Sequence, residues 1–146
     1  ENLLQQFPGL LSSKPGRTTL VRHDIRTDGS GVIKLRPYRI PEARRQAVEQ
    51  EIEAMLQADI IEPSQSVWCS PVVLVPKGDG SLRFCIYFRQ LNASSQFDNY
   101  LMPRIDELVE RLGQARVMST IDLTKGYWQI PLTATAKEKT AFSTTS

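Results

Sequence analysis

Apolar residues recur at helical spacing in two parts of the chain. The first run begins at Pro41, a residue favoured at the start of helices, and predicts a helix that extends to about Ala58. Its apolar side consists of Val48, Ile52, Met55 and Leu56. A second helix is predicted between Pro103 and Gly113, and its apolar stripe consists of Ile105, Leu108, Val109 and Leu112. Both helices therefore have one side to bury and one side for solvent.

β-Favouring runs predict the strands. Residues 72–76 and 82–88 flank Gly-Asp-Gly-Ser and predict a hairpin. A five-residue loop places Lys77 opposite Arg83 and keeps the apolar side chains on one face, whereas a four-residue loop places Arg83 beside Leu74. We therefore expect the five-residue loop. Further strands are predicted over 32–38, 117–123, 127–132 and 140–144, with a turn at 124–126, whereas 92–100 is predicted to be polar and turn-like.

Length and composition indicate one globular domain. The 146 residues are 40% hydrophobic and 23% charged, so the chain can bury a core. Residues 1–31 are rich in turn formers and are expected to form a linker or an extended arm. No apolar run approaches the roughly 20 residues that a membrane span needs, so we expect no membrane partner. Cys69, Cys85 and the single His23 lack metal-ligand spacing, and both cysteines are expected to be reduced.

Charge is unevenly distributed although the net charge is only +2. Residues 14–45 carry nine Lys or Arg and three acids, whereas residues 46–62 carry five acids and no base. The basic segment suggests a polyanionic partner, and an ordinary solvated surface is the alternative.

One acid stands out by its position. Asp122 ends a β-favouring run and precedes a Gly-Tyr-Trp step, which is a way to hold a carboxylate beside a substrate pocket. Taken alone, such an aspartate is more often a cap or turn residue. Lys77 and Arg83 taken alone would be solubilising charges at a hairpin tip, and Tyr127 and Trp128 would be core aromatics.

Several sequence motifs, in the same order along the chain, resemble those of the reverse transcriptase of gypsy-type long-terminal-repeat retrotransposons and related retroviral polymerases. They read R-P-Y-R-I-P at 36–41, I-I-E-P-S at 60–64, S-P-V-V-L-V-P-K at 70–77, D-G-S-L-R-F-C at 79–85, R-Q-L-N at 89–92, M-P-R-I-D-E-L at 102–108, S-T-I-D-L-T-K-G-Y-W-Q-I-P-L at 119–132 and K-T-A-F at 139–142. The resemblance covers about residues 20–146. It implies an α+β fold, the fingers and partial palm of a right-hand polymerase. Residues 1–31 would be a linker or extended arm that follows a protease-like region. Residues 32–115 would form the fingers, and residues 116–146 the first part of the palm.

The resemblance also implies roles for individual residues. Asp122 and the carbonyl of Leu123 would bind catalytic Mg²⁺ or Mn²⁺, which suits the preference of Mg²⁺ for carboxylate and phosphate oxygens. Lys77 and Arg83 would hold the triphosphate of the incoming dNTP. The backbone amides of Lys125 and Gly126 would face the triphosphate of the dNTP. The ring of Tyr127 would pack under its sugar.

The chain departs from the resembled pattern in places. Tyr87 stands where an acid is usual and Gln90 where Lys is, and further departures are Gly78, Leu82 and Leu101. After Asp122 only one acid, Glu138, follows, and there is no Asp-Asp pair. The fold is thus expected to be truncated before the second catalytic carboxylate motif. Because one carboxylate cannot hold two Mg²⁺ ions, we expect this chain alone to be inactive.

Two functions of different classes follow. The first is a fragment of an RNA-directed DNA polymerase that acts with an RNA or DNA template-primer. Its other partners would be the rest of the Pol polyprotein: protease, remaining palm, thumb, ribonuclease H and integrase. The alternative is a non-catalytic nucleic-acid-binding or interaction module derived from a retroelement. Because the chain starts at Glu1 and has no signal-like segment, we expect a processed piece of an intracellular protein, in a cytoplasmic retroelement particle or the nucleus.

Overall fold

A computed structural model describes residues 5–7, 15–98, 100–113 and 115–145. The chain divides into two compact units. The sheet unit comprises Thr18–Gln96 and Ile130–Ser146, and the helix–turn unit comprises Glu1–Arg17 and Phe97–Gln129. No helix in the described ranges has the length and apolar character that a membrane crossing requires.

The sheet unit is built on a three-stranded sheet with the order β2-β1-β3. Strand β1 (Ser70–Pro76) pairs antiparallel with β2 (Leu82–Ile86) and parallel with the short β3 (Phe142–Ser143). The rings of Phe84 and Phe142 meet edge to face across the sheet, with centroids 5.8 Å apart. The predicted hairpin is therefore confirmed, and the strand predicted over 140–144 is present as two residues.

The pairing of the hairpin differs from the predicted one. Leu74 lies opposite Phe84 and Val75 opposite Arg83, so Lys77 does not face Arg83. The loop is three residues long because the Lys77 amide donates to the Ser81 carbonyl at 2.8 Å and Gly80 adopts a φ of +81°. The apolar face is unchanged, since the pairing differs by two positions, and a two-residue shift returns every side chain to the same face.

Helix α1 (Glu42–Gln57) follows the predicted pattern. Val48 and Met55 are buried, whereas Ile52 and Leu56 on the same side are half-buried. The outer side carries local pairs: Arg45 contacts Glu42 at 3.1 Å, and Gln57 donates to Glu53 at 2.9 Å. The helix is thus held to the unit by its buried side chains, since surface pairs of this kind contribute little.

Met55→Ala is expected to lower the free energy of unfolding by about 2–5 kcal/mol, because the substitution removes buried methylene groups and leaves a cavity. Met55 is only 5% exposed. Urea unfolding followed by circular dichroism measures the change. Gln50→Ala on the exposed side of the same helix is the matched control and should change it by less than about 0.5 kcal/mol. An equal loss in both variants would contradict this account of α1.

The segment before α1 lies along the sheet unit as an extended arm. His23 pairs in parallel with Leu132, its amide donating to the Pro131 carbonyl at 2.9 Å and its carbonyl accepting from the Thr133 amide at 3.0 Å. Further along, Thr27 forms a bridge with Ser95. Within residues 1–31, these bonds hold the chain against the sheet unit. The strand predicted over 32–38 is wrong, because only Lys34, paired with Cys69, forms a bridge there.

A polar cluster fastens the arm to helix α4 (Ala134–Lys139). Thr133 caps this helix by accepting a hydrogen bond from the Ala136 amide. The Thr133 hydroxyl also donates to the Asp24 carboxylate at 2.6 Å, and Thr135 donates to the same oxygen at 3.1 Å. The hydroxyl bonds from Thr133 and Thr135 lower the pKa of Asp24 below its ordinary value of 3.8. The arm is therefore tied to the residues that follow the Gly-Tyr-Trp step.

Helix α2 (Arg89–Ser94) extends into the segment 92–100 that was predicted to be turn-like, so that prediction is wrong over 92–94, whereas 96–98 and 100 form no regular element. Buried Leu91 anchors the helix, and the Leu91 carbonyl accepts bonds from the hydroxyls of Ser94 and Ser95. Serines favour caps and turns, so the two serines of this segment predicted a turn and not a helix. Both cysteines are half-buried free thiols.

The helix–turn unit contains helix α3 (Ile105–Leu112), as predicted, with Gly113 at its end. All four residues of its apolar stripe are exposed. The strand predicted over 117–123 is wrong, because these residues form no regular element, and the described part of the unit offers no strand to pair with their backbone. The strand predicted over 127–132 is also wrong, since Gly126–Gln129 is a 3₁₀ helix.

Candidate functional site

Asp122 lies in the helix–turn unit, directly before a turn at Thr124 and Lys125. Its side chain is exposed and forms no hydrogen bond or ion pair with any described residue. The carboxylate is therefore not used as a cap, which was the alternative role for a lone aspartate at this position. An exposed carboxylate without a partner in the described chain is available to a cation.

The turn after Asp122 is sharply defined. Lys125 adopts a φ of +49°, and the Trp128 amide donates to the Lys125 carbonyl at 2.8 Å, which starts the 3₁₀ helix. Gln129 closes the turn by donating its side-chain amide to the Thr124 carbonyl at 2.9 Å. A Cβ on Gly126 would lie 3.2 Å from the Leu123 Cβ, so a larger residue would push against Leu123. Glycine at this position lets the backbone pass close to Leu123 without displacing it.

The two aromatic residues of the turn have different environments. Tyr127 is 99% exposed, so it is not a core residue. Trp128 is half-buried and carries the Lys125 ammonium 3.9 Å from its ring centroid, within the range of a cation–π contact. Trp128 therefore stabilises the turn and directs Lys125, whereas the Tyr127 ring is free to contact a ligand.

Lys77 and Arg83 lie in the sheet unit, at the base of the β1–β2 hairpin loop. Both side chains are exposed. Arg83 pairs with Val75, and Lys77 lies two residues after Val75, directly beyond the end of β1, so both cations project from the same face of the hairpin. Neither forms an ion pair with a described residue. The hairpin therefore presents two unpaired cations side by side.

The loop between these cations is held by Asp79. Its carboxylate accepts bonds from the Ser81 hydroxyl at 2.6 Å and from the Ser81 amide at 2.9 Å. The Ser81 hydroxyl bond, followed by the amide bond and with the Lys77 charge in a smaller role, lowers the pKa of Asp79 below 3.8. Asp79 thus remains ionised and fixes the loop near neutral pH.

The predicted site residues fall into two groups. Five belong to one continuous stretch of the helix–turn unit: Asp122, Leu123, Lys125, Gly126 and Tyr127. Lys77 and Arg83 are brought together by the hairpin of the sheet unit. Leu123 is 65% exposed, so its side chain is not part of a core.

The described residues do not provide a complete metal site. No group of three or more His, Cys, Asp or Glu side chains that could hold an ion occurs among them. Asp122 and the Leu123 carbonyl offer at most two ligand positions, whereas Mg²⁺ requires six oxygen ligands. Asp122 and the Leu123 carbonyl therefore fit part of a metal site, which the described residues do not complete. No catalytic step through a bound metal ion is assigned to this chain by itself.

The sequence did not predict one aromatic contact of the sheet unit. Tyr38 in the arm and Tyr87 after β2 meet edge to face, with ring centroids 6.3 Å apart. The signal in the sequence was the tyrosine at position 87, where the resembled pattern has an acid. The contact partner could not be read from it, because residues 38 and 87 are far apart along the chain.

Residues 75–146 match the family described as reverse transcriptase (RNA-dependent DNA polymerase). The chain is 36% identical to the retrovirus-related Pol polyprotein from transposon opus of Drosophila melanogaster, over 98% of the chain and 15% of that protein. It is also 36% identical to the Pol polyprotein from transposon gypsy of the same organism, over 86% of the chain and 13% of that protein. The chain belongs to the reverse transcriptase family of retroelement Pol polyproteins, and it spans less than a sixth of the length of these two relatives.

Solved structures agree with this assignment at the level of the fold. The protease-reverse transcriptase of Prototype Foamy Virus, in a mutant form, superposes with a TM-score of 0.82 at 22% identity, over 97% of this chain and 20% of that one. A foamy viral protease-reverse transcriptase in complex with an RNA/DNA hybrid gives a TM-score of 0.75 at 24% identity, over 97% of this chain and 20% of that one. The expected α+β fold of a partial reverse transcriptase is therefore confirmed.

Proposed function

We propose that this chain supplies nucleotide-binding residues and the first metal-binding carboxylate of a template-directed DNA polymerase, and that it acts as part of a longer Pol polyprotein. The observation that carries the proposal is Asp122, exposed and without a partner among the described residues, followed at once by the tight turn through Gly126 and the exposed Tyr127. The alternative of a non-catalytic module has no observation in its favour.

The metal-binding part of the proposal rests on Asp122. Polymerases of the reverse transcriptase family use divalent metal ions, and Mg²⁺ or Mn²⁺ would accept the Asp122 carboxylate and the Leu123 carbonyl as two of its oxygen ligands. When bound, such ions stabilise the attacking and leaving oxygens of phosphoryl transfer. The other protein ligands would come from residues of the polyprotein beyond this chain, which is why we propose that the chain alone is inactive.

The nucleotide-binding part rests on fixed charges and on the turn. Lys77 and Arg83 would neutralise the triphosphate of an incoming dNTP, since neither cation is occupied by a described acid. Lys125 and Gly126 stand at the start of the 3₁₀ helix, where backbone amides have no partner within the helix and can face phosphate oxygens. Tyr127 would lie against the sugar, because its ring is free of protein contacts on nearly all sides.

The proposed partners follow from the relatives. A foamy viral protease-reverse transcriptase has been solved in complex with an RNA/DNA hybrid, which supports an RNA or DNA template-primer as the substrate here. The relatives are named Pol polyproteins, which supports further domains in the same polyprotein. We propose that these are protease, remaining palm, thumb, ribonuclease H and integrase. Within this scheme we assign residues 32–115 to the fingers and 116–146 to the start of the palm, after a linker over 1–31.

A chimera tests the proposed function. The matching segment of the gypsy Pol polyprotein is replaced by this chain, and extension of a labelled primer on an RNA template is measured with Mg²⁺ and dNTPs. We expect template-dependent product from the chimera and none from the isolated chain. A chimera that folds, as judged by its thermal unfolding, yet gives no product above the isolated chain would overturn the proposal.

A further inference from the structure

Residues 97–129 of the helix–turn unit are an insertion between two parts of the sheet unit. The arm is bonded to the sheet unit on both sides of this insertion, to residues 94–96 directly before it and to residues 131–133 directly after it. One short stretch of chain therefore joins the two places where the insertion begins and ends. We propose that residues 23–28 act as a clamp that fixes the two ends of the insertion.

The clamp is an extended segment with backbone hydrogen bonds at both of its ends. Before the insertion, the Asp28 amide donates to the Ser94 carbonyl at 2.9 Å, and the Gln96 amide donates to the Arg26 carbonyl at 2.7 Å. After the insertion, His23 is bonded in both directions to the backbone of residues 131 and 133. The chain from His23 to Asp28 spans at most about 18 Å, since an extended residue adds about 3.6 Å. The ends of the insertion are thus held within a fixed short distance of each other.

Asp24 fastens one end of the clamp through its side chain. Its carboxylate accepts hydrogen bonds from the hydroxyls of Thr133 at 2.6 Å and Thr135 at 3.1 Å, both of which follow the insertion. The neighbouring Ile25 carbonyl accepts a bond from the Lys139 ammonium at 2.6 Å. Hydrogen bonds to an ionised group are about twice as strong as those between neutral groups. Removal of the Asp24 carboxylate should therefore release the clamp from this end.

The insertion carries residues of the proposed metal and nucleotide site. Asp122 and Tyr127 lie near its end, and the 3₁₀ helix that contains Tyr127 ends at Gln129, directly before the clamped residues. A reacting group contributes fully only when it is held in the reactive geometry. On the basis of the proposed function, Asp24 is thus a positioning residue that acts on Asp122 through the clamp.

Amide hydrogen exchange of the full chain, followed by NMR, tests the clamp without polymerase activity. Four amides should share one protection factor, because their hydrogen bonds open together when the clamp opens; they belong to His23, Asp28, Gln96 and Thr133. Asp24→Ala should lower all four protection factors about tenfold, including the two at the opposite end of the clamp.

Two controls separate opening of the clamp from loss of the fold. Asp98→Ala removes an exposed acid inside the insertion that forms no ion pair with a described residue, and it should leave the four protection factors unchanged. In Asp24→Ala the Tyr87 amide, which donates to the Pro71 carbonyl at 2.9 Å, should keep its protection because the sheet stays folded. A loss confined to the amides of His23 and Thr133 would show two independent contacts and refute the clamp. Four unrelated protection factors in the original chain would refute it as well.

The positioning role of Asp24 is measured in the gypsy chimera by single-turnover primer extension at saturating dNTP. Asp24→Ala should lower the rate constant about tenfold at an unchanged product amplitude, whereas Asp98→Ala should lower neither. A lower amplitude at an unchanged rate constant would mean that Asp24 only stabilises the fold, and the positioning role would be overturned. No product from the unsubstituted chimera would count against the proposed function, and the exchange experiment would still decide on the clamp.

Discussion

Replacing Asp122 by Asn should abolish primer extension by the gypsy chimera, with a loss of at least about a thousandfold in rate. The asparagine side chain has nearly the same shape but no charge, so it cannot hold a divalent cation in the way that a carboxylate does. Stabilisation of transferring oxygens by a metal ion is worth several kcal/mol, and about 4 kcal/mol corresponds to three powers of ten in rate. Single-turnover primer extension measures the loss.

Asp106→Asn is the matched control for this experiment. Asp106 is also an exposed acid of the helix–turn unit, in the first turn of α3, and among the described residues it forms one ion pair, with Arg104 at 3.8 Å. It should retain nearly full activity, since an exposed pair of this kind contributes little. In the isolated chain neither substitution should matter, because no template-dependent product is expected. Product from the isolated chain that Asp122→Asn removes would show that one carboxylate is sufficient, contrary to our proposal.

Lys77→Ala and Arg83→Ala should each reduce kcat/KM for dNTP in the chimera by about a hundredfold. Fixed donors aimed at developing negative charge are typically worth about 3–4 kcal/mol, and the exposure of both side chains in this chain places the expected loss at the lower end. Steady-state extension at varied dNTP concentration separates the effect on KM from that on kcat.

The control for these cations is Arg111→Ala, an exposed arginine in the last turn of α3 and in the helix–turn unit. If Lys77→Ala and Arg83→Ala were no worse than Arg111→Ala, the two residues would be solubilising charges at a hairpin tip and not nucleotide ligands. A loss that appears only at low salt would indicate general attraction of the template, because long-range contributions of exposed charges are screened.

The sequence predicted elements best where one local pattern was sufficient. The spacing of Val48 and Met55 gave α1 and its buried side, and Pro103 and Gly113 bracketed α3. In the hairpin, alternation gave the correct faces but not the pairing, because pairings that differ by two residues have identical faces. The geometry of the loop decided between them, through the positive φ of Gly80 and the bonds of Asp79 to Ser81.

The candidate site shows the same division. The sequence motif around Asp122 identified the acid, the glycine and the tyrosine. The residues that match the family include this motif. The strand that was predicted to carry Asp122 is absent from the described chain, since a strand needs a partner for its backbone and the described residues of the helix–turn unit offer none. The sequence also did not predict the cation–π contact between Lys125 and Trp128, because this contact depends on the left-handed backbone conformation of Lys125.

By itself, the sequence determined the family, the two main helices, the faces of the hairpin and the identity of the residues proposed to bind metal and nucleotide. The tertiary structure alone decided the contacts between distant segments: His23 with Pro131 and Thr133, Asp24 with the cap of α4, and Tyr38 with Tyr87. The physical reason is separation along the chain. Periodicity and turn chemistry act over a few residues, whereas these contacts depend on how the whole unit packs.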